Sequence, residues 1–177
     1  MSELSALPAS PYLHLMMQKI QNFSLTACPQ RRDRSHGIQV IVHTILGLPG
    51  ESDADILETM DYLNGRDIQG IKLQLLHVLR GTDLADDYLA GKFHVYEREE
   101  YLNLVIRCLE NLDPEIVIHR MTGDGPEKLL LAPLWTGRKR EVLNLLHHQM
   151  KVCDSWQGKQ FHSLPTKIGR ASCRERV

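Results

Sequence analysis

The stretch 39–79 constrains this chain most, because it alternates strand, loop, helix and strand within one short span. Residues 39–46 (QVIVHTIL) are rich in β-branched side chains and are interrupted only by His43 and Thr44. Such a run favours an extended strand. Gly47-Leu48-Pro49-Gly50 stops it, since glycine and proline punctuate the backbone. Ser52 is placed to cap a helix whose apolar positions Ile56, Met60 and Leu63 recur at helical spacing. Gly65 falls just past its end. Residues 70–76 (GIKLQLL) form the next strand candidate. The unit has the size, about 30–40 residues, of one strand–helix–strand turn of an α/β fold. Its connection is expected to be right-handed and its two strands parallel.

The rest of the chain supports that class. At 177 residues it is one domain or a piece of one. A hydrophobic content of 42% suffices for a core. A net charge of -1 gives no strong electrostatic pull toward nucleic acid or membrane. No apolar run reaches the roughly 18 residues of a membrane span, and the start lacks a basic-then-apolar signal pattern. Cys28, Cys108, Cys153 and Cys173 are scattered, without a C-x-x-C pair. They read as reduced thiols of a cytoplasmic protein, not as a metal or cluster site.

Residues 1–36 fit poorly with the strand–helix–strand unit behind them. A short helix is expected near 11–20, and 28–35 reads as loop. Beyond the central unit, residues 83–90 form a short helix candidate closed by Gly91, and 97–112 is the clearest helix. Its stripe is Leu102, Val105, Ile106 and Leu109. Residues 115–120 (EIVIHR) are a third strand candidate, followed by the glycine-rich loop 121–126 (MTGDGP). Residues 129–135 are apolar and ambiguous. Residues 138–150 form an amphipathic helix with Val142, Leu145, Leu146 and Met150 on one face. The tail 168–177 resembles the conceptual translation of a sequencing-library adapter, so the natural coding sequence is expected to stop near Lys167.

In a parallel sheet, ligands sit beyond the carboxyl ends of the strands. Three loops leave such ends: 47–51, 77–82 and 121–125. Gly47 and Gly50 allow close approach to the backbone, and the helix after them offers free N–H groups to an anion. The same GLPGE segment is equally a plain tight turn. Lys72 and Gln74 share one face of the second strand. Polar residues are unusual in a parallel strand, which is normally buried on both sides. They point to a lumen holding polar cargo, or to an edge strand with one wet face. His119 and Arg120, with Asp124 in the next loop, are suited to a carboxylate or phosphate. A satisfied structural histidine is the plainer account of His119. His147, His148 and Cys153 read as surface residues, and Trp135 and Trp156 as packing.

The runs HTILGLPGE, GIKLQLLHVLRGTDLADDY, VIHRMTGDGP with LLLAPLW, and DSWQGKQF together resemble the C-terminal part of radical S-adenosylmethionine proteins. Within that family the likeness is to the bacterial group similar to Elongator subunit 3. It covers about residues 37–161. The resemblance implies an α/β fold, the C-terminal half of a partial (β/α)6 TIM-like barrel with parallel strands and a C-terminal helical extension. It implies a parent enzyme that cleaves S-adenosylmethionine reductively at a 4Fe–4S cluster. Ile45 would then pack on the adenine, Gly47 would give backbone access, and the segment at Leu75 and His77 would contact the same base. Lys72, Gln74, His119, Arg120 and Asp124, singled out above by alternation and loop position, are the candidates to face substrate; for the intact parent the resemblance makes a tRNA base the expectation.

The family's three-cysteine cluster loop and first four barrel strands have no counterpart in this sequence. No thiolate triplet is present to hold the cluster, whose open iron site would take the cofactor's amino-acid half. The chain is therefore expected to be a fragment, inactive alone, with 1–36 as irregular lead-in and 162–177 as a disordered or artefactual tail. A non-catalytic α/β module for a phosphate or nucleotide, using 47–51 and 121–125, is one competing reading. A purely structural domain pairing along its open strand edge is another.

Overall fold

The computed structural model describes residues 39–123 and 125–161. The expected lead-in 1–36, its helix near 11–20, Asp124 and the tail 162–177 lie outside the described residues.

Strand β1 (Ile41–Leu46) runs into helix α1 (Asp53–Asn64) and back to strand β2 (Gly70–Leu75). The GLPGE loop stops β1, and Ser52 starts α1 through a capping box. Its hydroxyl accepts from the Asp55 amide, and the Asp55 carboxylate accepts from the Ser52 amide at 2.9 Å. Ile56, Met60 and Leu63 recur every three or four residues, and all are buried. Next come β3 (Val78–Leu79), α2 (Asp83–Leu89), α3 (Arg98–Asn111), β4 (Val117–Arg120), β5 (Leu130–Ala132), a single 3-10 turn (Leu134–Gly137) and α4 (Lys139–Val152).

The main sheet has the order β1-β2-β4, and both pairings are parallel, as strand–helix alternation requires. β2 is its central strand, so Lys72 and Gln74 do not lie on an edge. Ile41 faces Gly70, His43 faces Lys72, and Ile45 faces Gln74. On the other side Gly70 faces Val117 and Lys72 faces Arg120, with a bulge between Ile71 and Lys72 that takes up His119.

Alternation sorts the two faces. Leu46, Ile71, Leu73 and Leu75 join Ile56, Met60, Leu104, Val105 and Leu109 in one core. α3 packs against α1 on one flank and α4 on the other, which is why it buries Tyr101, Leu104 and Cys108 beyond the expected stripe. The opposite face carries Ile41, His43, Ile45 and Val117, all exposed. Among the described residues no helix covers it.

The ambiguous segment 129–135 divides into β5 and the 3-10 turn. β5 pairs antiparallel with β3 in a small second sheet. Val78, Ala85, Val95 and Ala132 make a satellite core there. At the amino-terminal end of β4, side chains close the backbone. Asn64 Oδ1 accepts from the Asp113 amide, and Gln157 Nε2 donates to the carbonyls of Asp113 and Ile116, each at 2.8 Å.

Candidate functional site

The parallel register brings the carboxyl ends of β1 and β2 side by side, and the Leu76 amide still donates to the Leu46 carbonyl at 3.0 Å. Ile45, one residue before the end of β1, is 48% exposed on the open face. Leu75 points the other way, into the core under the helices, so only its backbone can reach a ligand on the open face. Gln74 sits beside Ile45 in register.

Gly47 has φ +82° and is buried. A Cβ there would lie 2.7 Å from the ring of Tyr96, so glycine is required by both the conformation and the close approach. The Tyr96 hydroxyl donates to Asp53 Oδ1 at 2.6 Å, and Arg107 Nη1 donates to Asp53 Oδ2 at 2.7 Å. The Tyr96 carbonyl accepts from Trp135 Nε1 at 3.2 Å, and Trp135 also packs on Tyr101. Burial first, and the bond to Asp53 second, push the Tyr96 phenol well above its ordinary range, so it stays a protonated donor. This clamp on the GLPGE loop escaped sequence reasoning, because Tyr96 lies in an irregular segment with no periodicity to flag it.

The approach to the amino-terminal end of α1 is lined by the chain's own carboxylates. Glu51 Oε2 accepts from the Leu48 amide at 3.3 Å, while Asp55 holds the Ser52 amide and hydroxyl. Burial raises the Glu51 pKa, against the lowering effect of the backbone donors. Bonds from Ser52 lower that of Asp55. An incoming phosphate would meet Glu51, Asp53 and Asp55 here.

The second cluster of predicted residues lies on the open face. A Cβ on Gly70 would fall 2.5 Å from Cδ2 and Nε2 of His119, so the imidazole lies across β2 in the space that glycine leaves. His43, Lys72 and Arg120 occupy one register row. His77, just after β2, has its ring flanked by the loop after β4. A Cβ on Gly123 would lie 2.6 Å from its Cε1, and one on Gly125 would lie 3.0 Å from its Cδ2. Thr122 is 4% exposed, and its hydroxyl has no hydrogen-bond partner among the described residues.

Half-exposed Ile45 and the adjacent strand-end backbone fit the flat, partly apolar adenosine half of S-adenosylmethionine. The described residues do not fit a 4Fe–4S cluster. Cys108 is buried with its thiol pushed up to about 12 by desolvation, Cys153 is exposed just past α4, and among the described residues no group of three His, Cys, Asp or Glu is placed to hold a metal. Trp156 is also exposed rather than packed, with Lys159 Nζ 5.0 Å from its ring centroid. No helix among the described residues is long and apolar enough to cross a membrane.

Comparison with known proteins bears on the family and the fold. A model of the radical SAM C-terminal domain matches residues 68–152. The chain is 37% identical over 150 residues to protein YtqA of Bacillus subtilis, covering 85% of this chain and 47% of that protein. It is 28% identical over 109 residues to Elongator complex protein 3 of Schizosaccharomyces pombe, covering 60% of this chain and 20% of that protein. The archaeal Methanocaldococcus infernus Elp3, solved with an N-terminal deletion, shares the fold. Its TM-score is 0.56 at 17% identity, over 70% of this chain and 29% of that one. The chain spans less than half the length of these curated relatives. It is a relative of the radical S-adenosylmethionine proteins that include Elongator protein 3, and it corresponds to their C-terminal part.

Proposed function

We propose that this chain forms the C-terminal wall of a partial barrel that receives S-adenosylmethionine, and that it contacts the adenosine half of that cofactor. One observation carries the reading: Ile45 stands half-exposed at the carboxyl end of a parallel strand, beside the GLPGE loop that Tyr96 clamps. Ile45 would cover one face of the adenine, and the backbone at Gly47 and at Leu75 to His77 would meet its polar edge. In the radical SAM family the bound cofactor and its cluster supply a carbon-centred radical. No residue of this chain is assigned a part in generating it. A tRNA base as the target of the longer protein rests on the resemblance alone.

The competing phosphate-binding module loses support, because the start of α1 carries the carboxylates of Asp53 and Asp55, with Glu51 just before it, and these would repel an incoming anion. The test is calorimetric titration of the full chain with S-adenosylhomocysteine and with 5′-methylthioadenosine. The two should bind with similar, weak affinity, since the described residues offer the amino-acid half no cluster iron. Ile45→Asp should abolish both. Absence of binding by either ligand at millimolar concentration would overturn the proposal.

A further inference from the structure

We infer that the open face of the main sheet holds a binding site for a single oxyanion, the phosphate or carboxylate group of a small-molecule substrate. The inference builds on the reading of this face as a ligand-facing wall. His43, Lys72 and Arg120 stand side by side on three adjacent strands, and the β4 bulge adds His119 to the same place. Strand spacing of about 4.8 Å puts the outer two roughly 10 Å apart, within converging reach of long side chains on one group. Gly70 lets the His119 imidazole lie across β2 toward that row.

Among the described residues the cluster has no carboxylate partner. The three strands contain no Asp or Glu. None of the four side chains makes a hydrogen bond or ion pair among the described residues. Elsewhere in this fold cations find carboxylates: Arg107 meets Asp53, and Arg98 meets Glu99 and Glu141. A guanidinium, an ammonium and two imidazole rings offer N–H donors to one acceptor, and charge-assisted bonds of this kind are the strong ones.

The surroundings set the size of the ligand. Apolar Ile41 and Val117 border the row on one side, and Ile45 with the polar Gln74 borders it on the other. The cationic band is one row deep, and the chain as a whole carries a net charge of -1. A polyanion tracks a longer basic surface. A small molecule with one anionic group and an apolar body fits better than RNA.

The test titrates the full chain, without any cofactor analogue, with inorganic phosphate, with acetate and with a short polyuridine RNA. One equivalent of phosphate or of acetate should bind, and whichever binds identifies the source of the oxyanion. Lys72→Met and His119→Ala should each weaken that binding by about fivefold or more, the scale of a lost hydrogen bond to a charged group. Lys159→Met, remote on Trp156, should leave it unchanged, and circular dichroism should show all three variants folded. The inference fails if neither anion binds, if Lys72→Met titrates like the parent chain, or if RNA binds more tightly and Lys72→Met does not affect it. S-adenosylhomocysteine titrated separately reports on the adenosine reading, so either result can fail while the other stands.

Discussion

Gly47 and Gly70 each leave room for a neighbouring ring, yet their replacement should have different results. At Gly47 an added Cβ meets the Tyr96 ring, which is pinned through Asp53, and the positive φ adds strain. Gly47→Ala should therefore lose about 1–3 kcal/mol of stability in urea denaturation. At Gly70 the obstructing His119 ring is exposed and can swing aside, and the Val117 carbonyl oxygen at 3.1 Å has to give by only a few tenths of an ångström. Gly70→Ala should melt close to the parent chain but lose oxyanion affinity. Acidic residues at the GLPGE loop should also leave a pH signature. The folded-state pKa of Glu51 is raised above 4.5, so its charged form burdens the fold above that folded pKa, and the burden is relieved as pH falls toward 4.5. Glu51→Gln should remove this component. The pKa of Asp55 is lowered from 3.8, so its contribution is present above 3.8 and is lost as pH falls through its folded pKa. The stability gap between the parent chain and Asp55→Asn should therefore close only below pH 3.8. Denaturation midpoints between pH 7 and pH 3, compared across these variants, check both signs. Much of this site was legible in the sequence. Period-2 alternation already put Lys72 with Gln74, and the expected strand ends fell where the loops emerge. The proximity of His119 to Gly70 was not, because it depends on a bulge that no local pattern announces.

At the scale of elements, α1 is the clearest case of sequence dictating structure. Ser52 caps it, and Met60, with no exposed surface, anchors it in the core. Ser52→Ala should cost about 1 kcal/mol. Met60→Ala should cost about 2–5 kcal/mol, through lost burial and a residual cavity. Thermal and urea unfolding followed by circular dichroism would rank the two. α1, α3 and α4 lie within a few residues of where apolar spacing placed them, since each runs long enough for its period to show. β3 and β5 were missed for the opposite reason: strands of two and three residues carry no period, and only their mutual pairing defines them. The breadth of the α3 core face also eluded the sequence, because it reflects neighbours on two flanks.

For the whole molecule, anaerobic reconstitution with iron and sulfide should load no stoichiometric 4Fe–4S cluster on this chain. A cluster needs converging thiolates, and the buried Cys108 and exposed Cys153 do not converge. Iron and labile-sulfide analysis, with the electronic spectrum of the product, checks this. A bound cluster lost on replacing Cys28, Cys108 or Cys153 would refute it. The ties of Asn64 and Gln157 have a different consequence. They fasten the end of the sheet where β4 begins, while the loops of the candidate site leave the opposite end. Residues that hold the chain together and residues that would meet a ligand are thus separated by the length of a strand. A library randomised in residues 47–51, 80–82 and 121–125, outside β3 and its buried Val78, could therefore explore new ligand preferences over a base that keeps its shape. Gly47 would have to stay fixed, and the same diversity introduced around Asn64 and Gln157 would mostly yield chains that do not fold.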